Sequence, residues 1–206
     1  MRNGVFTQAY IALIALEGGY ANVATDRGGE TYRGISRKFW PDWEGWMLVD
    51  SLKEPGDSNS DINETLENSG DLAIKVQAFY RKNFWEPLNC DLLPELIAEE
   101  LFDTAVNQGV GTAAKYLQEA VNLLNLNGKI FKDIKVDGAI GPMSLAAFDA
   151  VRISIGNRYG VDRFQRTFIK VLDGLQFERY RSIVERDQDQ EVNFFGWVSN
   201  RVGNVG

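Results

Sequence analysis

Glu17, Asp26 and Thr31 have side chains of the types, and at the spacing, that could cleave a glycosidic bond. One carboxyl group would protonate the glycosidic oxygen, while the other would activate a water molecule or stabilise positive charge on the sugar. Asp26 also has a purely structural interpretation, as a turn residue beside Arg27 that forms an Asx hydrogen bond. The residue types alone leave both interpretations of Asp26 open.

Glu17 follows an apolar pattern that predicts a helix over about residues 4–17. Phe6, Tyr10 and Leu13 recur at helical spacing. Glu17 continues that stripe, so its carboxyl group is expected to face the buried side, where burial raises the pKa of a carboxylic acid. A carboxyl group that stays protonated near neutral pH suits acid catalysis. The alternative is a partly buried glutamate paired with an arginine.

The residues around Glu17 also match a known pattern. The segment EGGY followed by D-x-GG-x-T-x-x-GI resembles the opening of glycoside hydrolase family 108, the muramidases of phages and bacterial secretion clusters. The spacing of Glu17, Asp26 and Thr31 also resembles the Glu-Asp-Thr set of the phage lysozymes, with one residue fewer between Asp and Thr. Four later segments resemble the rest of the family, including its predicted peptidoglycan-binding region: Phe79 to Leu88, Leu101 to Asn122, Val136 to Phe148 and Phe194 to Val202.

The resemblance implies a function and roles for the site residues. It implies a phage-endolysin-like or secretion-activator-type muramidase that hydrolyses the β-1,4 bond between N-acetylmuramic acid and N-acetylglucosamine, with Glu17 as general acid. Asp26 would be the second carboxylate, with Glu30 in reserve, and Thr31 would help to hold the water. By analogy with the phage lysozymes, we expect an inverting geometry. The alternatives are a catalytically silent peptidoglycan-binding protein, a lytic transglycosylase and a glycosidase for another polymer such as chitin.

The composition excludes other ways of cutting a bacterial wall. The chain has no histidine, and Cys90 is its single cysteine. Zinc amidases need histidine ligands and cysteine endopeptidases need a Cys-His pair, whereas a carboxylate glycosidase needs neither. We therefore expect no metal and no cofactor. One cysteine allows no internal disulfide, which is typical of a protein made in a cytoplasm.

The net charge and the hydropathy of the chain argue against nucleic acid and membranes as binding partners. The net charge of −7 argues against nucleic acid, and no apolar run is long enough to span a membrane. No signal peptide is recognisable, so we expect synthesis in a bacterial host cytoplasm and action on peptidoglycan in the periplasm or cell wall. We expect a monomer whose partner is the glycan strand.

The pattern along the chain predicts a mainly α, lysozyme-like α+β fold. A catalytic lobe over residues 1–93 would contain one small β element, a helical lobe over 94–206 would resemble the peptidoglycan-binding region, and a cleft would lie between them. Helices are predicted over about residues 4–17, 36–39, 42–51, 71–86, 94–108, 112–124, 142–153 and 161–185. The acidic stretch of about residues 53–70 is predicted to be a loop, and the tail from Asp187 to be irregular.

Aromatic side chains near the motif are candidates for sugar stacking, because sugar rings present apolar faces. Tyr20, Tyr32 and Trp40 are the predicted substrate-binding aromatics. Trp43 and Trp46 are interpreted as core residues of a short helix.

Asn107 is the fourth predicted substrate-binding residue, facing the cleft to bond an acetamido group. Its alternative role is a helix C-cap. Asp103, one turn earlier, would order Asn107, or would simply form a surface pair with it.

Overall fold

The structure, a computed structural model, describes residues 2–15, 17–22, 29–54, 56 and 58–203. This part of the chain contains three short strands, β1 (Tyr20–Ala21), β2 (Thr31–Tyr32) and β3 (Ile35–Ser36). Its α-helices are α1 (Arg2–Ile14), α2 (Gly45–Leu52), α3 (Asn59–Glu67), α4 (Gly70–Tyr80), α5 (Glu95–Gln108), α6 (Val110–Leu123), α7 (Pro142–Tyr159), α8 (Val161–Arg186) and α9 (Glu191–Arg201). The mainly helical fold with one small β element agrees with the predicted fold class.

The chain divides into two compact units. The first is Asn3–Asn83 and the second begins at Phe84. The predicted division of function at residues 93 and 94 stays a prediction. No helix in the described ranges is both long enough and apolar enough to span a membrane.

The β element of the first unit is an antiparallel sheet in the order β1-β2-β3. Tyr20 lies opposite Tyr32, and Tyr32 lies opposite Ile35. β2 and β3 are joined by a two-residue turn, Arg33 (φ 47°) and Gly34 (φ 76°). Positive φ at both positions is what a tight type I′ hairpin requires, and glycine adopts it at least cost.

The acidic stretch contains a helix where a loop was predicted. α3 begins at a capping box, in which the Ser58 hydroxyl accepts from the Asp61 amide and the Asp61 carboxylate accepts from the Ser58 amide. Ile62 and Leu66 are buried one turn apart. The prediction was wrong because the many turn-forming residues concealed this cap and a two-residue apolar face.

α4 is capped by Ser69, whose hydroxyl accepts from the Leu72 amide, and not by Asp71 as predicted. Its buried side chains are Leu72, Val76, Phe79 and Tyr80. Beyond Tyr80 the chain continues as a π-helix, Arg81–Trp85, and a 3-10 turn, Glu86–Leu88. The predicted helix was therefore too long, because α-helical geometry ends at Tyr80, before Pro87. Ile74, which the apolar spacing assigns to the buried face, is 66% exposed.

The second unit is a bundle in which α5 packs against α6 and α8, and α7 packs against α8. Pro94 precedes α5 as predicted, and Gly109 ends it with a φ of 92°. Ring contacts among Phe148, Phe164 and Phe168 at 5.2–6.1 Å hold α7 to α8.

Two predicted segments were wrong. The tail forms α9, because Trp197 stacks on Tyr180 of α8 with ring centroids 5.2 Å apart. The short helix predicted from Ser36 is a turn, in which the amides of Phe39 and Trp40 both donate to the Ser36 carbonyl.

Candidate active site

Glu17 lies beyond α1, not on it. The helix ends at Ile14, and the Glu17 amide donates to the Ile14 carbonyl at 3.2 Å in a final turn. Phe6 and Leu13 are buried as predicted, whereas Glu17 is half-buried in a bend before Gly18. The predicted helix was thus too long, because the glycine pair ends helical geometry earlier than the apolar stripe suggests. The predicted effect of burial on the Glu17 pKa stays a prediction.

The Glu17 carboxylate meets the β2–β3 turn and the end of α4. A Cβ atom placed on Gly34 would lie 2.7 Å from Glu17 Oε2 and 2.5 Å from the Tyr80 hydroxyl. Both oxygens therefore lie beside the same small volume, which is open only because residue 34 is glycine. The Tyr80 hydroxyl donates to the Arg33 carbonyl at 2.7 Å, and its ring is buried. Three elements, the α1 terminus, the β turn and α4, position this group.

Of the other two predicted catalytic residues, Asp26 lies outside the described residues. Thr31 is in β2, opposite Ala21, and its hydroxyl donates to the Gly29 carbonyl at 3.2 Å. Thr31 is half-buried on the strand that leads into the Arg33–Gly34 turn. Their catalytic roles stay predictions.

Glu30, the reserve carboxylate, is engaged in an ionic network. Its two oxygens contact Arg37 Nε at 2.8 Å and Lys53 Nζ at 2.6 Å, and it accepts a 2.9 Å hydrogen bond from the Tyr20 hydroxyl. Asp50 joins the same network through Arg37 and Lys53. Burial, followed by the hydrogen bond to Glu30, raises the pKa of Tyr20. A carboxylate with three partners is better suited to holding β1 against α2 than to activating water.

Tyr20 and Tyr32, two predicted substrate-binding residues, are both buried. The Tyr32 hydroxyl donates to the Leu66 carbonyl at 3.4 Å. The Asn63 amide group donates to the Tyr20 carbonyl at 2.9 Å, and its oxygen accepts from the Tyr20 amide, so α3 covers the edge of β1. Substrate binding by these two rings stays a prediction, and their burial does not favour it.

Trp40, the third predicted aromatic, is 38% exposed and lies edge-on to Phe79 at 4.9 Å. Trp46 is buried and donates to the Trp40 carbonyl, which agrees with its interpretation as a core residue. Trp43 is half-buried between Trp46 and Phe79.

The first unit carries a groove of about 250 Å³ that the sequence did not reveal. It is lined by aromatic, charged and amide side chains: Asp42, Trp43, Glu44, Lys75, Ala78, Phe79, Lys82 and Asn83. Lys75 is ion-paired with Glu44 at 2.8 Å. Aromatic rings beside hydrogen-bonding groups are typical of carbohydrate sites. Among the described residues, no cluster of acidic or cysteine side chains could hold a metal ion.

Asn107 is exposed near the end of α5 in the second unit, and its amide group donates to the Asp103 carbonyl at 2.8 Å. The helix ends two residues later at Gly109, so Asn107 is not the C-cap. Asp103 is buried and paired with Arg201. The interpretation of Asp103 as part of a simple surface pair was therefore wrong, and substrate binding by Asn107 stays a prediction.

Sequence-family comparison covers almost the whole chain. A family model described as Glycosyl hydrolase 108 matches residues 11–109, and one described as Predicted Peptidoglycan domain matches residues 112–202. Residues 11–109 belong to glycosyl hydrolase family 108. This family implies a glycosidase of the peptidoglycan-hydrolase, muramidase type, and the second domain indicates peptidoglycan as the substrate and the cell wall as the place of action.

The fold of the chain is also found in a solved structure. SagA of Brucella abortus superposes with a TM-score of 0.62 at 24% sequence identity, over 98% of this chain and 91% of SagA. At that identity the likeness concerns the fold. No curated protein matches the chain.

Gly34 and Tyr80 are the site residues that sequence reasoning missed. The apolar spacing of α4 predicts a core position for Tyr80, and the glycine-rich sequence around Gly34 predicts a loop. The sequence feature that could have indicated Gly34 is the pair Arg33–Gly34 between two short strands. A glycine at such a place is typical of a tight turn that another part of the chain approaches closely.

Proposed function

We propose that this chain is a muramidase that hydrolyses the β-1,4 bond between N-acetylmuramic acid and N-acetylglucosamine, with Glu17 as the general acid. The observation that carries the proposal is the position of the Glu17 carboxylate. It is half-buried, beside the β turn and the Tyr80 hydroxyl, within the segment that matches the family 108 model. Partial burial favours the neutral form of a carboxyl group while leaving it reachable by substrate.

In the proposed reaction, Glu17 donates its proton to the glycosidic oxygen as the bond from that oxygen to the muramic acid C1 breaks. Positive charge develops on the ring, and a water molecule attacks C1. Asp26, with Thr31 holding the water, takes the proton that the water loses. One water is consumed for each bond, and the new reducing end is N-acetylmuramic acid.

The cellular setting we propose is endolysin-like, with bacteriolysis as the outcome. Its support is the resemblance of the EGGY motif to the phage and secretion-cluster muramidases, together with a peptidoglycan domain in the same chain.

The deciding experiment digests purified sacculi with the wild type and with Glu17→Gln, and identifies the products by mass spectrometry after borohydride reduction. Gln keeps the shape of the side chain but cannot donate a carboxyl proton, so the rate is expected to fall by about two orders of magnitude or more. Glu178→Gln, an exposed glutamate in the second unit, is the matched control and should retain wild-type activity.

The products separate the alternatives. Reduced muramic acid ends support the proposal, whereas reduced glucosamine ends would identify a different bond. Anhydro-muramic ends, which borohydride does not reduce and which are lighter by one water than the unreduced hydrolysis product, would identify a lytic transglycosylase. No cleavage by the wild type would indicate a catalytically silent wall-binding protein, and Glu17→Gln activity above a tenth of the wild type would refute the role of Glu17.

A further inference from the structure

The second unit carries a groove of about 280 Å³ beside the start of α7, within the segment that matches the peptidoglycan domain. Its walls are mostly aliphatic. Ile134 is half-buried, Ala139 and Pro142 are exposed, and Met143 is 72% exposed. No aromatic ring is among the described residues that line it, unlike the groove of the first unit. Because sugar rings bind largely by stacking on aromatic rings, this groove suits an aliphatic chain better than a sugar.

The loop that forms one wall of the groove is bound to α6 by two amide side chains one turn apart. Asn122 donates to the Ile134 carbonyl at 2.9 Å and accepts from the Ile134 amide at 3.0 Å. Gln118, which is buried, accepts from the amides of Asp137 and Gly138 at 3.0 and 2.9 Å. A wall that is fixed before binding loses little conformational entropy when a ligand arrives, so the groove is preorganised.

The groove is lined by one positive and one negative side chain, Lys135 and Asp137. Lys135 is exposed. Asp137 Oδ1 accepts from the Gln118 amide group at 2.9 Å and from the Ala139 amide at 3.1 Å. These two hydrogen bonds, that from Gln118 first, lower the pKa of Asp137, and the charge of Lys135 adds to the effect. Both groups are therefore charged at neutral pH, and the complementary ligand carries a carboxylate and an ammonium group.

Peptidoglycan, the polymer that the second domain indicates, contains one component with this combination of groups. Its stem peptides include a diamino acid. Where that residue is diaminopimelate, its side chain is a short aliphatic chain whose last carbon bears both an ammonium and a carboxylate group. The N-acetylated sugars of the glycan strand have no ammonium group.

From this match we propose that the groove binds the stem peptide of peptidoglycan at a diaminopimelate residue. The aliphatic chain lies against Pro142 and Met143, the carboxylate pairs with Lys135, and the ammonium group pairs with Asp137. Because cross-linking converts that ammonium group into an amide, the groove selects stems that are not cross-linked at this position. The inference goes beyond the cleavage proposed for Glu17, since a stem peptide contains no glycosidic bond.

The test titrates the whole ¹⁵N-labelled chain with two synthetic stem peptides and follows binding by NMR. One is L-Ala-γ-D-Glu-meso-diaminopimelate, and the other has L-Lys in place of diaminopimelate and so lacks the terminal carboxylate. We expect the diaminopimelate stem to bind about threefold to fivefold more tightly, the range for one exposed ion pair. The amide signals of Ala139 and Met143 should shift on binding.

Lys135→Met removes the charge that recognises the carboxylate. It should weaken binding of the diaminopimelate stem to the level of the lysine stem and leave the lysine stem unaffected, because only the first ligand has the group that Lys135 contacts. Lys170→Met, which changes an exposed lysine of α8 outside the groove, is the control and should bind both stems as the wild type does.

Met143→Ser removes aliphatic surface from the wall of the groove. It should weaken both stems by the same factor, about threefold, because both have the aliphatic chain. Ile153→Ser is the matched control, since Ile153 lies on the same helix, is 53% exposed and does not line the groove. Melting temperatures show whether each variant is folded, and Lys135→Gln replaces Lys135→Met if the methionine lowers stability.

Equal affinity of the wild type for the two stems would overturn the inference, and so would an equal loss for both stems in Lys135→Met. Shifts of the Ala139 and Met143 signals with chitotetraose, and none with either stem, would make the groove a glycan site instead. Absence of stem binding by the wild type would also refute it. None of these outcomes alters the products that Glu17→Gln and the wild type release from sacculi, so failure of the groove and failure of the proposed function are distinguishable.

Discussion

Asp103 and Arg201 form a buried ion pair that ties the last helix to α5. Arg201 Nη1 lies 2.6 Å from Asp103 Oδ1, and the two side chains are 10% and 13% exposed. The Asp103 carboxylate also receives the Asn107 amide group at 3.4 Å. None of the described side chains of α9 is fully buried, so contacts with neighbouring helices hold it to the bundle. They include this ion pair, the stack of Trp197 on Tyr180 and the contact of the Phe194 ring with Phe177 at 6.0 Å.

Arg201→Met should destabilise the second unit, because it removes the arginine of this ion pair from the buried Asp103 carboxylate. We expect the free energy of unfolding to fall by about 3–5 kcal/mol. Chemical denaturation followed by circular dichroism measures the change. Adding Asp103→Asn should restore part of the loss, and Arg181→Met, whose ion pairs are exposed, should have little effect. A loss in Arg201→Met no greater than in Arg181→Met would contradict the importance of the pair.

Glu100 makes the second unit sensitive to pH. It is fully buried, and burial, then the charges of Asp173 and Asp103, raise its pKa to about 8. The Thr104 hydroxyl donates to one of its oxygens at 3.3 Å. Glu100 Oε2 and Gln176 Oε1 have no hydrogen-bond partner among the residues that the structure describes. The pKa of Asp173 is raised by burial as well, so both acids act in the same direction.

The direction in which stability changes with pH follows from the number of protons that the folded and unfolded states bind. Between the unfolded pKa near 4.5 and the folded pKa near 8, the folded protein holds a proton that the unfolded chain has lost. The contribution of Glu100 to stability should therefore be fully present below about pH 4.5 and be lost as pH rises toward 8, by no more than about 1.4 kcal/mol per pH unit. Melting temperatures from pH 5 to 8 measure the slope. Glu100→Gln should flatten it and melt higher than the wild type at pH 8, and an unchanged slope would show that Glu100 is not the group responsible.

Asp26→Asn separates the two interpretations of that residue. As the second carboxylate, it should lose activity with little change in melting temperature, because it acts on the water and not on the fold. As a turn residue, it should lose activity only together with stability. Asp149→Asn, an exposed aspartate paired with Arg152, is the control.

The anomer released first tests the geometry of the carboxylate pair. NMR of early products should show the inverted anomer if the carboxyl groups lie about 6.5–9.5 Å apart, with room for a water. Retention would instead require about 5–5.5 Å and a covalent intermediate. We expect inversion.

The sequence by itself determined the helical class of the fold, the small β element and the family. The helices are indicated by local features of the sequence, namely the apolar spacing, the prolines at 94 and 142 and the glycines at 18, 19 and 109. The family is indicated by the EGGY motif. The absence of histidine likewise needed no structure to exclude zinc amidases and Cys-His peptidases.

Tertiary structure decided which groups surround Glu17 and which merely lie near it in sequence. Glu30 is close to Glu17 in the chain, but it is ion-paired with Arg37 and Lys53. Tyr80 is distant in the chain, yet its hydroxyl and Glu17 Oε2 both lie within 2.7 Å of the position that a Cβ atom on residue 34 would occupy. The same holds for α9, which exists because Arg201 reaches Asp103 and Trp197 reaches Tyr180. A local sequence pattern indicates whether a side chain is buried. Which side chain it contacts is decided by the packing of elements that are distant in the chain. That contact, in turn, determines what the side chain can do chemically.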